Sequence, residues 1–198
     1  MRGDKKFVFA ASWAIFVLTV SQLAVATFVP GIPQFEGKAF SGRLMAYPLL
    51  MLAVPAAWKM FGRASHIVTI DWAAVALIWM PFLVDVTGNS ADLYDSVVWW
   101  DDANHFFNWL LLCSGIGLIL RHVRDLRRWE IAWMVTGIGA VLAILWELAE
   151  WYTFIRHGTE LNTAYEDTLG DMALGTFGGF IAGLMVMRIK RRDDTAQS

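Results

Sequence analysis

Long apolar segments recur along the whole chain, and their length restricts the fold more than any other feature. Each holds about 17–23 residues, and about 20 apolar residues in a helix span the hydrocarbon core of a bilayer. Hydrophobic residues make up 57% of the chain, against about 45–50% in ordinary soluble domains. The sequence therefore predicts an all-α, polytopic membrane bundle with six transmembrane helices, at residues 7–29, 45–61, 67–87, 103–120, 131–152 and 169–187.

The distribution of basic residues predicts the orientation of this bundle. Of the 16 Lys and Arg residues, only Lys38, Arg43 and Arg156 fall on the outer side when the N-terminus is placed in the cytoplasm. The other basic residues then all lie inside, as the positive-inside rule requires. We therefore expect both termini to be cytoplasmic and the membrane to be the bacterial cytoplasmic (inner) membrane.

The chain is expected to form a single integral membrane domain over residues 1–198, because no linker or low-complexity run interrupts it. The first apolar segment contains a signal-like Ala-Val-Ala at residues 24–26, but it is longer than the usual 7–15-residue core of a signal peptide. We expect it to be a retained anchor. Cys113, the only cysteine, lies inside the fourth segment and is interpreted as a small apolar filler.

Ionisable residues concentrate at one end of the last three segments. The topology brings the start of the fourth, the end of the fifth and the start of the sixth to the extracytoplasmic side. Spacings of three or four residues place each group on one helix face. The groups are Asp101, Asp102 and His105, then Glu147 and Glu150, then Asp167 and Asp171.

The same helix faces continue inward as small residues. Gly139 and Ala143 precede Glu147, and Gly175, Gly179 and Gly183 follow Asp171 at intervals of four. Stripes of this kind allow transmembrane helices to pack closely. The acidic groups should therefore point into the bundle and not at lipid.

A carboxylate cluster at this depth needs neutralisation, since each charge costs at least about 2.5–3.5 kcal/mol. Three solutions remain open: shared protons, a divalent cation, or a wet cavity that recruits a cationic ligand. Carboxylates with one histidine are ligands for Zn²⁺, Mn²⁺, Fe²⁺ or Ca²⁺. The candidate metal ligands are Asp101, His105, Glu147, Glu150, Asp167 and Asp171. The alternative is a polar network with Asn108 and neighbouring threonines that only fixes helix register.

Three short motifs resemble a known family. They are DDANHF (residues 101–106), WELAEW (146–151) and EDTLGDM (166–172). In order and placement they resemble the D-x-x-x-H-F, E-x-x-E-W and D-x-x-x-D-M signatures of YjdF-type bacterial inner-membrane proteins and, more loosely, VanZ-like proteins. The match covers about residues 99–184. The resemblance implies that the six candidate ligands are signature positions, and the VanZ-like link to glycopeptide resistance implies a cell-envelope role.

The sequence leaves three functions open. A non-catalytic envelope component would bind a divalent metal or another ligand at the cluster. A metal-dependent hydrolase or transferase would act on a lipid-linked substrate, with Glu147, Glu150 and His105 as acid–base residues and Asp102, Asn108 and Arg156 as substrate contacts. An ion- or proton-coupled transporter would use the acids as a vestibule, although no ionisable path continues inward. We expect membrane lipids as partners and no nucleic acid.

Overall fold

The computed structural model describes residues 2–61, 69–122, 126–153, 155–157 and 163–189. Within these ranges all regular structure is helical, so the predicted all-α class is confirmed. Single 3₁₀ turns occur at Pro33–Phe35 and Ile155–His157. The seven α-helices are α1 (Arg2–Phe28), α2 (Phe40–Phe61), α3 (Trp72–Ser90), α4 (Leu93–Ser96), α5 (Trp100–Leu120), α6 (Arg128–Thr153) and α7 (Ala164–Arg188).

Six of these helices are long and apolar enough to cross a membrane, all except the four-residue α4, as predicted. Several begin earlier than their apolar runs suggested. α7 starts at Ala164 where residue 169 was predicted, and α5 starts at Trp100 where residue 103 was predicted. Hydropathy marks only the apolar part of a helix, whereas backbone hydrogen bonds continue through its polar turns. Asp101, Asp102 and Asp167 therefore lie within helices.

The orientation of the bundle stays a prediction. Some of the basic residues on which it rests, Arg63, Arg124, Lys190, Arg191 and Arg192, lie outside the described residues.

Helix α7 packs closely against both α5 and α6 through its glycines. A Cβ atom on Gly178 would lie 2.5 Å from the carbonyl oxygen of Phe106, and one on Gly183 would lie 2.6 Å from that of Ala132. Between α6 and α7, a Cβ on Gly139 would lie 3.2 Å from the Cα of Gly179. The small-residue stripes thus permit backbone contact, as predicted. Cys113 is fully buried in the core formed by these helices.

Helices α1, α2 and α3 form a second core around Trp79, which is fully buried. The indole Nε1 of Trp79 donates a hydrogen bond of 2.6 Å to the carbonyl oxygen of Met51 on α2. Pro55 follows Met51 by four residues and has no N–H to donate, so this carbonyl lacks its normal helical partner. A side chain of the neighbouring helix therefore satisfies the backbone group that the proline frees.

Helix α3 joins the two halves, because it packs against α1 on one side and α5 on the other. Gly115 of α5 allows the close approach, since a Cβ there would lie 2.7 Å from the carbonyl oxygen of Ala74. The start of α2, the end of α3 and the polar ends of α5, α6 and α7 all border one cavity. This end of the bundle carries the candidate site.

Candidate metal centre

The imidazole of His105 is the centre of the polar cluster. His105 is only 7% exposed. Its Nδ1 lies 3.6 Å from Oε1 of Glu147 on α6. Its Nε2 lies 3.7 Å from both Oδ1 of Asp101 on α5 and Oδ2 of Asp171 on α7. Carboxylates from three helices therefore surround one ring, as the sequence predicted.

The donors form two sets that share His105. Asp101, His105 and Asp171 each offer one ligand atom within 4.8 Å of the others, and so do His105, Glu147 and Glu150. The nitrogen–oxygen distances around the ring exceed the usual range for a hydrogen bond. Donors that share a metal at about 2.1 Å stand about 3.0–3.4 Å apart, so small side-chain movements would complete either set.

One buried atom of the cluster lacks the hydrogen-bond partner that such atoms normally have. The Nδ1 atom of His105 is buried and has no hydrogen-bond partner. Buried polar atoms are rarely left in this state, because an unsatisfied group costs about 1–3 kcal/mol. A neutral histidine between carboxylates is also the donor type that divalent transition metals favour. The residues present therefore fit a divalent cation.

The acids of the cluster lie at opposite ends of their helices, so the helix dipole affects their charges differently. Asp101 and Asp167 lie in the first turns of α5 and α7, where the positive end of the helix dipole stabilises a carboxylate. Glu147 and Glu150 lie in the last two turns of α6, where the dipole disfavours negative charge. Glu147 is also buried. These two glutamates therefore have the greater need of a proton or a cation.

The remaining predicted residues divide into those near the cluster and those apart from it. Asp167 and Asn108 line the cavity beside the cluster. Asp102 is exposed and is not among the described residues that line this cavity. Arg156, predicted as a substrate contact, places the Cζ of its guanidinium 3.8 Å from the ring centroid of Tyr152, and it too is not among the described residues that line the cavity.

The cavity has a volume of about 740 Å³ and a mixed lining. Asp101, His105 and Glu150 form its polar side next to the candidate metal position. Apolar side chains of several helices form other parts of its wall, including Phe82, Leu112, Trp146 and Ile155. The cavity can therefore hold a ligand larger than an ion beside the cluster.

A second polar network, which sequence reasoning mostly missed, forms another part of the cavity wall. Arg43 donates to both oxygens of Asp85, at 3.2 and 2.9 Å. The hydroxyl groups of Tyr47 and Tyr94 also donate to Asp85, at 2.8 and 3.0 Å. Asp85 itself lies on the cavity wall. The only sequence signal for this network was the four-residue spacing of Asp85 and Asn89.

Helix α5 joins this network through two asparagines that the sequence analysis did not connect to it. Asn104 donates to the hydroxyl oxygen of Tyr94, and Asn108 donates to Oδ1 of Asn104 at 2.8 Å. Burial, followed by the charge of Asp85, raises the pKa of the Tyr94 phenol well above its usual range, so this group stays protonated. A chain of hydrogen bonds thus connects Asp85 with the helix that carries His105.

Both basic residues that line the cavity are paired with acids. Arg43 pairs with Asp85, and the Nζ of Lys38 lies 2.6 Å from Oδ2 of Asp95. The lining also contains Glu36, Asp101, Glu150 and Asp167. The charge of the cavity wall is therefore predominantly acidic, which favours cations over phosphate groups.

Fold and site together define a multi-pass helical membrane protein with a carboxylate–histidine cluster at one end of its bundle. A family model described as "Predicted membrane protein (DUF2238)" matches residues 9–192. The chain belongs to this family, and the resemblance to YjdF-type proteins is confirmed because the YjdF family is known by that description. No curated protein and no solved structure matches the chain.

Proposed function

We propose that the protein binds a divalent cation at its carboxylate–histidine cluster, on the extracytoplasmic face of the bacterial inner membrane, in a cell-envelope role. The observation that carries the proposal is the buried Nδ1 of His105, which lacks a hydrogen-bond partner beside a carboxylate 3.6 Å away. A cation would draw these donors together. Its charge would also offset the repulsion among the carboxylates around the ring.

The donor set favours a transition metal over Ca²⁺. Ca²⁺ takes six to eight oxygen ligands and does not need histidine. Mn²⁺, Fe²⁺ and Zn²⁺ accept a mixture of imidazole and carboxylate donors. The binding test should therefore compare Mn²⁺ and Zn²⁺ with Ca²⁺.

A metal-dependent hydrolase or transferase acting on a lipid-linked substrate is the second candidate. The observation that favours it is the cavity of about 740 Å³ next to the cluster, which has room for the polar head of a substrate. A bound cation would supply a Lewis acid there, and Glu150, which lines the cavity, would be the candidate base. The pairing of Lys38 and Arg43 with acids argues against a phosphate head group.

Transport of ions or protons has less support. Between residues 106 and 120, 131 and 146, and 172 and 187, the helices α5, α6 and α7 contain no acidic, basic or histidine side chain. Such side chains within membrane helices commonly mark proton and ion pathways. The cluster is therefore better explained as a binding site at one face.

Elemental analysis and equilibrium dialysis of the purified protein test the proposal. After chelation, the protein is dialysed against Mn²⁺, Zn²⁺ or Ca²⁺, and we expect one transition-metal ion per chain. His105→Ala should lose this ion. Glu166→Gln is the matched control, since Glu166 is an exposed acid outside both ligand sets and should leave binding unchanged. If the folded wild-type protein takes up no stoichiometric metal, the proposal is wrong.

A further inference from the structure

The ring of His105 has two nitrogen atoms with different surroundings. A neutral imidazole binds a metal through one nitrogen, and the hydrogen bond of the other nitrogen sets which one is used. We infer that the cation binds at Nε2, with Asp101 and Asp171 as the other protein ligands. Glu147 accepts the hydrogen bond from Nδ1–H and positions the ring. This inference rests on the proposed metal site and assigns roles within it.

The Nε2 side offers the better ligand set. Carboxylate oxygens of Asp101 and Asp171 come from different helices, and both lie 3.7 Å from Nε2. Shared coordination requires about 3.0–3.4 Å between ligand atoms, so each carboxylate oxygen needs to come only a few tenths of an ångström closer to Nε2. Asp101 precedes His105 by four residues on α5, and ligands at this spacing share one helix face, as in helical zinc motifs.

The Nδ1 side fits a hydrogen bond better than an ion. Nδ1 is sealed from solvent, and the side chain of Glu147 is only 4% exposed. A shortening of about 0.7 Å would give the charge-assisted hydrogen bond that carboxylates form with metal-bound histidines. This assignment explains why Nδ1 has no hydrogen-bond partner in the structure, because the ring becomes fixed only when a metal holds Nε2.

The Nε2 and Nδ1 sides of the ring also differ in their access to water. The side chain of Asp101 is 44% exposed and lines the cavity. A cation held by Asp101, His105 and Asp171 has three protein ligands, the number that leaves further positions for water or substrate. Asp101 and His105, which line the cavity, would connect such an ion with it. Glu150, which also lines the cavity, stays outside this ligand set.

Two matched isosteric substitutions test the assignment. Both Glu147 and Asp171 are buried carboxylates, so Glu147→Gln and Asp171→Asn remove the same charge from similar surroundings. Affinity for Zn²⁺ is measured by titration of the chelated, folded variants. Asp171→Asn should weaken binding more than 100-fold because it loses an anionic ligand. Glu147→Gln should weaken it by less than about tenfold, since the amide oxygen still accepts the Nδ1–H bond, whereas Glu147→Leu should weaken it about 10–100-fold.

A measurement on the wild-type protein keeps the inference testable if a variant does not fold. In protein labelled with ¹⁵N at histidine, long-range proton–nitrogen correlation spectra should show Nε2 of His105 bound to Zn²⁺ and a proton on Nδ1. Zinc on Nδ1, or equal losses of affinity in Glu147→Gln and Asp171→Asn, overturns the assignment but leaves the metal site intact. Absence of zinc binding by the wild-type protein instead contradicts the proposed function itself.

Discussion

The guanidinium of Arg43 on α2 donates to both carboxylate oxygens of Asp85 on α3, and the two side chains are only 15% and 13% exposed. Removing one partner of such a buried pair leaves an uncompensated charge. We expect Arg43→Ala to lower the free energy of unfolding by about 3–5 kcal/mol. Unfolding of the purified protein in detergent micelles measures this change.

The Lys38–Asp95 pair provides the control for that experiment. Its side chains are more exposed, at 24% and 53%. Exposed pairs contribute about 0–1 kcal/mol, so Lys38→Ala should have little effect on the unfolding free energy. Equal losses in the two variants would show that the burial of the Arg43–Asp85 pair is not what makes it strong.

The hydrogen bond from Trp79 to the Met51 carbonyl should depend on Pro55. Trp79→Phe removes the donor and leaves a buried carbonyl unsatisfied, at a cost of about 1–3 kcal/mol. In a Pro55→Ala background the new backbone N–H can pair with that carbonyl. The same tryptophan substitution should then cost at least about 1 kcal/mol less. A double-mutant cycle of unfolding free energies measures the difference, and simple additivity would refute the explanation.

Two glycines of α7 should respond in opposite ways to alanine. Gly178 faces the carbonyl oxygen of Phe106, which a Cβ atom would approach to 2.5 Å, so Gly178→Ala should separate α5 from α7 and destabilise the bundle. The cost expected for such overpacking is about 1–3 kcal/mol. Gly170 has no atom within 4 Å of its Cβ position. Gly170→Ala should therefore be neutral or stabilising by up to about 1 kcal/mol. Thermal unfolding midpoints compare the two variants.

A bound metal should stabilise the folded protein in a pH-dependent way. At a free concentration 100 times the dissociation constant, the ion should add about 2.7 kcal/mol to the unfolding free energy. Carboxylates and imidazole must lose their protons to bind it, so the gain should shrink as pH falls from about 8 to about 5. Unfolding with and without Mn²⁺ at each pH measures the gain. Asp171→Asn should show no such gain in unfolding free energy. A gain that increases as the pH falls would argue against carboxylate and imidazole ligands.

Selective labelling can test the orientation of the bundle. Cys113 is fully buried and should not react, which leaves introduced cysteines as the only targets. Ser96→Cys, at the end with the cluster, should react in intact cells with a thiol reagent that cannot cross the membrane. Arg127→Cys, just before α6, should react only after the cells are opened. Both positions are exposed. The reverse pattern would place the cluster in the cytoplasm.

The sequence predicted the helices and the acidic cluster because both depend on local regularities. Apolar length predicts a span, and spacings of three or four residues place Asp101 with His105 and Glu147 with Glu150 on single helix faces. Connectivity then brings these faces to the same end. The carboxylates then meet around His105, provided that the helices pack along their small-residue stripes.

The polar network around Asp85 could not be predicted in this way. Arg43 and Asp85 are 42 residues apart on different helices, and Tyr94 lies on a four-residue helix that has no apolar period. Nothing in a helical repeat shows that one carboxylate receives hydrogen bonds from side chains of two other helices. Arg156, predicted as a substrate contact from its position just beyond α6, packs its guanidinium on Tyr152.

The hydrogen-bond chain from Asp85 through Tyr94 reaches α5 at Asn104, one residue before His105. If this chain couples the Asp85 network with the metal site, the coupling is reciprocal by thermodynamic necessity. The factor by which loss of the Arg43–Asp85 pair changes metal affinity must then equal the factor by which bound metal changes the stability of that pair. The first three helices, which supply no ligand, would then help to set how tightly the last three hold their ion.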